Sequence, residues 1–327
     1  MSTTQAALIE HAKDLMTSGG SPAKAFLAGN ANAMRSNDVL RHEDWLEIDA
    51  TLVDVARQRL IGVSDLVSRG LRKNLGGLGV MFASYEQLGD LTDAEVDFAA
   101  ATDGEKDSAT FTLVNVPVPI TSKEFSINIR RQAASERGTG EAIDTTTMRL
   151  AAEKVTERLE ETLFNGYSGG ALDGNSIYGY TTHGSVNTEA GSDWGTVTNP
   201  TTDVIDAIDE LEADKMWAPW VLYVATTQFG QLRAFFTDGS GDQAFDRVKR
   251  LNGIEDIRPG DRLSAGNAVL VALRSSVVDY CVGQDLVVVE WGNKGNLVKN
   301  YKVMTAAVPR IKSDKAGNCG ICTITGI

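Results

Sequence analysis

Three cysteines offer redox or metal chemistry in this chain, and two of them, Cys319 and Cys322, form a CxxC pair. A redox pair of this spacing begins a helix, whose dipole lowers the thiol pKa, yet only residues 323–327 follow it. A zinc site needs further ligands, and Cys281 is the one remaining thiol. The spacing therefore favours a strand over residues 319–325, whose thiols pack as small apolar groups in a reducing compartment.

Histidines and glycines provide two further candidate sites. A nucleophilic triad needs a histidine, but His11, His42 and His183 are scattered, and no G-x-S-x-G turn accompanies His183. The glycine-rich residues 76–79 match neither GxGxxG nor a P-loop, and no helix carrying Lys-Ser or Lys-Thr follows them. We interpret them as a hairpin or flexible turn.

Paired carboxylates act as general acid and base only when a cleft holds them together. The pairs in this chain lie on segments with helical apolar spacing, so we expect solvated helix faces. They are Glu157 with Glu161, and Asp206 with Asp209 and Glu210. We assign no catalytic, cofactor-binding or metal-binding residue and expect no cofactor. For a chain of 327 residues, this points to a structural or binding role rather than an enzyme.

The chain is acidic, with 31 Lys and Arg against 44 Asp and Glu and a net charge of −13. Eight acidic residues and one basic residue, Lys106, lie between Glu86 and Asp107. Such a surface disfavours general binding to nucleic acid, whose phosphates require basic partners. Self-association would have to come from apolar burial and local charge pairing.

The pattern of the first 200 residues predicts a long helix and a two-stranded excursion, which is a pair of strands that extends from the rest of the fold. Residues 1–43 are predicted to be an arm, and a helix is predicted from residue 44 to about residue 60. Short β-like runs at 61–63 and 80–82, with a strand over 110–119, indicate this two-stranded excursion with an acidic tip. The strongest helix is predicted over residues 144–164. Its apolar stripe is Met148, Ala152, Val155, Leu159 and Leu163.

An α/β pattern follows residue 200. Helices are predicted at 202–213, 227–236 and around 245–252, and a buried strand at 220–225. Further strands are predicted at 268–273, 277–282, 286–291, 296–308 and 319–325. We expect neither a transmembrane helix nor a secretory signal, because no apolar run is long enough and the first residues lack a basic start.

The order of these elements resembles the major capsid proteins of tailed phages, which have the Hong Kong 97 fold, and the related encapsulin shell proteins. Residues 116–120 and 125–131 resemble the segment that leads into the family's peripheral domain. Residues 144–166 and 177–179 resemble its spine helix and the turn after it. Residues 282–286, with the strand through Tyr301 and 306–308, are similar to the carboxyl-terminal return of encapsulin-like capsid proteins.

The resemblance implies an α+β, Hong Kong 97-like capsid fold with five parts. These are an arm and first helix (1–61), an extended loop (62–118), a peripheral domain (119–200) with a spine helix at 144–164, an axial domain (201–280), and return strands to the peripheral domain (281–327). Some relatives cross-link through a lysine of the extended loop. The surroundings of Lys106 do not match that site, so we do not assign this chemistry to it.

The resemblance also implies a function. The chain would be a major capsid protein that assembles into an icosahedral shell around the double-stranded DNA genome of a tailed virus. Its first partner would be itself, in pentamers and hexamers, with separate scaffolding, portal or decoration proteins as further candidates. It would contact the packaged DNA without sequence specificity, bind no membrane, assemble in the host cytoplasm and end in the virion. The alternatives are an encapsulin-type compartment shell and, more remotely, an acidic hydrolytic enzyme.

Overall fold

Two β-sheets of four and five strands form the framework of the structure, and one long helix contributes to the apolar clusters of both. The structure is a computed structural model that describes residues 60–94, 106–128, 143–236, 241–292 and 298–327. The helices are α1 (Gly62–Ser68), α2 (Ile143–Asn165), α3 (Asn199–Ala213), α4 (Thr226–Gln231) and α5 (Ala244–Lys249). The strands are β1 (Arg72–Asn74), β2 (Phe82–Leu88), β3 (Phe111–Pro117), β4 (Ile120–Asn128), β5 (Tyr167–Leu172), β6 (Asn175–Ile177), β7 (Asn187–Ala190), β8 (Trp220–Ala225), β9 (Ile254–Gly260), β10 (Asn267–Val271), β11 (Val278–Gly292), β12 (Val298–Ile311) and β13 (Ile321–Thr325).

The four-stranded sheet has the order β1-β11-β12-β4 and supports helix α2. Strands β11, β12 and β4 pair antiparallel, whereas β1 joins β11 in parallel. Met148, Ala152 and Val155 of α2 are buried against this sheet. Their apolar partners there are Ile127, Val288, Tyr301 and Val303. The amino-terminal half of α2 is therefore held by the four-stranded sheet.

The carboxyl-terminal half of α2 enters a second and larger core. Leu159 and Leu163 are buried there with residues of β8 and β10. The predicted stripe on this helix is therefore confirmed, because each of its five members is buried. These are Met148, Ala152, Val155, Leu159 and Leu163.

The five-stranded sheet has the order β7-β13-β10-β8-β9. All six residues of β8 are buried, as expected of a central strand covered on both faces. Helix α3 turns Val204, Ala207 and Leu211 into the core that this sheet supplies. The prediction of an α/β pattern after residue 200 is confirmed for β8, β10 and α3, whereas α4 and α5 are shorter than the predicted 227–236 and 245–252.

Helix α1 corrects one prediction. Residues 61–63 read as a β-like run, but α1 starts at Gly62. A Cβ on Gly62 would lie 2.7 Å from Leu163 Cδ2 of α2, so a close tertiary contact shapes this segment. Three apolar residues are too few to reveal a period of either kind.

The two-stranded excursion is consequently shorter than the predicted 62–118. Residues 62–68 form α1 in the core, and 72–74 pair with β11. The two strands of the excursion, β2 and β3, pair antiparallel from Phe82↔Pro117 to Leu88↔Phe111. We call this pair of strands the ribbon.

The carboxyl-terminal strands also differ from the prediction. The strands predicted at 277–282 and 286–291 form one strand, β11, with two register irregularities around Gln284. Strand β13 pairs with β10 and β7, so residues 321–325 join the five-stranded sheet instead of returning to the four-stranded one. The domain boundaries themselves stay predictions.

Some predictions lie outside the described residues. They are the arm, the helix predicted from residue 44, and residues 95–105 at the acidic tip. Among the helices of the described segments, none combines the length and apolar character that crossing a bilayer requires.

Leu159 provides a test of how α2 is oriented. Leu159→Ala removes a buried side chain, so we expect the free energy of unfolding to fall by about 2–5 kcal/mol. Arg158→Ala is the matched control, because Arg158 is half exposed and pairs with Glu161 at 2.7 Å. It should cost at most about 1 kcal/mol. Urea midpoints measured under conditions that block assembly give both values. A larger loss of unfolding free energy for Arg158→Ala than for Leu159→Ala would mean that α2 is rotated about its axis relative to this structure.

Candidate assembly surface

The cysteines lie in apolar cores. Cys319 and Cys322 are fully buried among aliphatic residues, and Cys281 is buried in a smaller cluster. All three thiols are free, and burial raises the pKa of each to about 12. Such thiols resist forming the nucleophilic thiolate. The interpretation of the CxxC pair as small packing groups is confirmed, although β13 begins at Ile321.

His183 and the glycine-rich residues 76–79 have packing and turn roles in the fold. His183 packs edge-on against Tyr178, with 5.7 Å between ring centroids, and its Nδ1 accepts the Ser185 N–H at 3.2 Å. Burial lowers the pKa of His183, which favours a neutral ring. Gly76 and Gly77 have positive φ angles of 86° and 139° and form the turn before the ribbon. The prediction of a turn there is confirmed, and His11 and His42 lie outside the described residues.

The paired carboxylates divide into two groups. Those of α3 are exposed, which confirms the solvated face: Asp206, Asp209 and Glu210. Those of α2 are only partly exposed and are ion-paired. Glu157 bonds to Lys154 at 2.9 Å and to Arg262 at 3.1 Å, so it ties α2 to a loop instead of facing solvent alone.

One buried carboxylate escaped the sequence analysis. Glu160 is 3% exposed and accepts hydrogen bonds from the backbone of α1. A signal was available, because Ala152, Thr156, Glu160 and Phe164 form a second row at a spacing of four, and both ends of that row are apolar.

The ribbon has two unlike faces, because successive side chains of a strand point to opposite sides. Its inner face lies on the body of the subunit. Ala83 and Tyr85 are buried, and Ala83 packs with Val116 against Val308 of β12. Gln87 Nε2 donates to Ser313 Oγ at 2.8 Å, which fixes the ribbon further along.

A buried ion pair anchors the base of the ribbon. Arg310 of β12 and Asp279 of β11 are hydrogen-bonded and buried. Arg310 also donates to the backbone carbonyl of Ser84 on β2. Burial acts to raise the pKa of Asp279, but hydrogen bonds from Arg310 and Lys312 outweigh it and lower that pKa. Removing Asp279 would leave Arg310 as an uncompensated buried charge, whereas removing Arg310 would leave Asp279 paired with Lys312 at 2.8 Å.

The outer face of the ribbon carries three exposed apolar residues next to the exposed Glu86. Leu88 and Phe111 are paired in register, and Leu113 lies two residues further on the same face. Their exposed fractions are 55%, 64% and 61%. Contiguous exposed apolar side chains of this kind mark an interaction surface. The inner face of the ribbon thus finds its apolar cover within the subunit, whereas these three outer residues do not.

Comparison with known proteins identifies the class of this molecule. The family model Linocin_M18, described as "Encapsulating protein for peroxidase", matches residues 30–296. The type 1 encapsulin shell protein EncA of Myxococcus xanthus is 23% identical over 290 residues, which cover 88% of this chain and 94% of that protein. The crystal structure of a virus-like particle from Pyrococcus furiosus aligns with a TM-score of 0.61 at 17% identity, covering 86% of this chain and 98% of that one. The capsid of Myoviridae phage XM1 aligns with a TM-score of 0.58 at 15% identity, covering 81% and 92%.

The fold is the Hong Kong 97 capsid fold, and the molecule is a shell-forming protein of capsid or encapsulin type. The chain belongs to the Linocin_M18 family of encapsulating proteins. Self-assembly into an oligomeric shell follows from this membership.

The cysteine interpretation predicts that the thiols are dispensable for assembly. Replacing Cys319 and Cys322 by Ser buries two hydroxyl groups, so unfolding should become easier by about 1–3 kcal/mol while shells still form. Urea unfolding and electron microscopy measure the two effects. Stoichiometric zinc in the wild-type protein that disappears from the double variant would show that these thiols bind metal.

Proposed function

We propose that this protein is a major capsid protein, whose shell encloses the double-stranded DNA genome of a tailed virus. The observation that supports a role in assembly is the exposure of apolar residues on the outer face of the ribbon. Its three large apolar residues are exposed in the single subunit, and a neighbouring copy is the natural cover in a shell.

The energetics support this use of the ribbon. Covering a large aliphatic or aromatic side chain contributes about 1.5–3 kcal/mol. Gln87 and Arg310 already order the two strands within the subunit. Binding of a neighbouring copy therefore costs less conformational entropy than it would with a flexible segment. A pre-ordered apolar face repeated in every copy suits a closed assembly better than a monomer.

The charge of the chain supports a genome container. A net charge of −13 opposes adhesion of the protein to packaged DNA and favours contact without sequence specificity. Scaffolding, portal and decoration proteins are the proposed further partners, with assembly in the host cytoplasm and the virion as destination. The role we propose is structural, without catalysis.

An encapsulin-type compartment is the second candidate. The match to the encapsulating-protein family and the similarity to the Myxococcus xanthus shell protein favour it. Electron cryo-microscopy of particles purified from the native source separates the two functions. A unique portal vertex and packed double-stranded DNA support the capsid. Closed particles that contain an enzyme but no genome support the compartment and would refute our proposal.

Leu113→Gln tests the ribbon surface. The substitution replaces an exposed apolar side chain by an uncharged polar one and adds no charge opposite Glu86, so the subunit should keep its circular dichroism and urea midpoint. Losing about 1.5–3 kcal/mol per contact should raise the protein concentration needed for assembly at least about tenfold. Light scattering over a concentration series measures this threshold.

Thr112→Gln is the matched control, because Thr112 is exposed on the same strand but points to the opposite face and the substitution adds no charge beside Gln87. It should leave the assembly threshold unchanged. Equal thresholds for both variants would contradict a role of the outer face in assembly.

A further inference from the structure

Glu160 of α2 holds the amino end of α1 across a sequence separation of 98 residues. Its Oε1 accepts the N–H of Gly62 at 2.6 Å, and its Oε2 accepts the N–H of Val63 at 3.3 Å. The residue that precedes α1, Ile61, provides no side-chain cap. Glu160 thus satisfies backbone donors that a short helix leaves unpaired.

The surroundings of this carboxylate are unusual for a capping group. It is 3% exposed and faces Asp65 of α1, Tyr180 after β6, Tyr223 of β8 and Tyr280 of β11. The nearby cations are engaged elsewhere.

Arg258 of β9 pairs with Asp65 at 2.9 Å, and Arg69 pairs with Glu255 at 2.7 Å. Among the ion pairs of the described residues, none includes Glu160. Within the described residues, an ionised Glu160 is therefore a buried charge compensated by backbone N–H groups alone.

We propose that Glu160 is a pH-sensitive latch, which holds α1 against α2 most firmly when its carboxyl group carries a proton and releases α1 more readily once that proton is lost. The latch controls the connection between α2 and the chain that leads to β1 and the ribbon. It requires only this subunit and is independent of what the shell contains.

The direction of the effect follows from the two states of Glu160. Burial, opposed by the hydrogen bonds from α1, raises its pKa from 4.5 to about 7 when α1 is docked. The latch requires that detachment of α1 exposes the carboxyl group to water, where its pKa returns toward 4.5. The docked state therefore binds more protons between about pH 4.5 and pH 7, so docking weakens as the pH rises through this window and levels off above it.

Hydrogen exchange measured by mass spectrometry tests the latch on the full-length protein. The readout is the opening constant of a peptide that spans α1, corrected for the pH dependence of intrinsic exchange. From about pH 5 to about pH 7.5, opening of the wild-type α1 should increase at least about tenfold. A flat response, or opening that increases on acidification, would overturn the proposal without any variant.

Three variants identify the residue that makes the opening of α1 depend on pH. Glu160→Gln keeps an oxygen for the Gly62 N–H but cannot ionise, so its opening should vary less than about threefold over the same range. Glu161→Gln, on the partly exposed neighbour, should keep the wild-type slope. Asp65→Asn should keep most of the slope, because the latch is placed at Glu160; any part that disappears is the share of Asp65, whose pKa is also raised by burial. The latch is refuted if Asp65→Asn abolishes the pH dependence of α1 opening while Glu160→Gln retains it. That result would place the switch at Asp65.

Discussion

The packing of α2 is the constraint on which the rest of the structure depends. Its amino-terminal half lies on the four-stranded sheet, and its carboxyl-terminal half lies in the core of the five-stranded sheet. A rigid helix that enters both cores sets their relative position, since interiors packed at crystal-like density do not slide. The ion pairs of Glu157 and the hydrogen bonds of Glu160 connect the same helix to a loop and to α1.

The ribbon shows how one element serves both the fold and the assembly. Its inner face is held by apolar contacts and by Arg310, so the strands are ordered before any neighbour arrives. Its outer face remains apolar and exposed at Leu88, Phe111 and Leu113. Alternation along a strand makes this division possible without additional residues.

Assembly of this subunit balances two opposing effects. The net charge of −13 makes copies repel one another at long range, and salt screens this repulsion within roughly 10 Å. Apolar contact acts at short range and is insensitive to that screening. A shell made from such subunits should therefore close more readily when the ionic strength rises.

The sequence by itself determined the elements with strong periodicity. The stripe from Met148 to Leu163 predicted α2, and the apolar run of β8 was predicted at its observed bounds, 220–225. The order of these elements was also enough to recognise the capsid fold. The thiols of Cys319 and Cys322 were correctly interpreted as packing groups, since both are fully buried among aliphatic residues.

Tertiary structure decided what depends on contacts between distant residues. Residues 62 and 63 became helical, with Gly62 packed against Leu163, and β13 paired with β10 rather than with the other sheet. Short apolar runs specify neither a period nor a partner. The row at a spacing of four marked the position of Glu160, whereas the buried Asp279–Arg310 pair carried no such signal. The environment of all three charged groups was decided by tertiary structure, because the groups that desolvate and pair with them are brought together only when the chain folds.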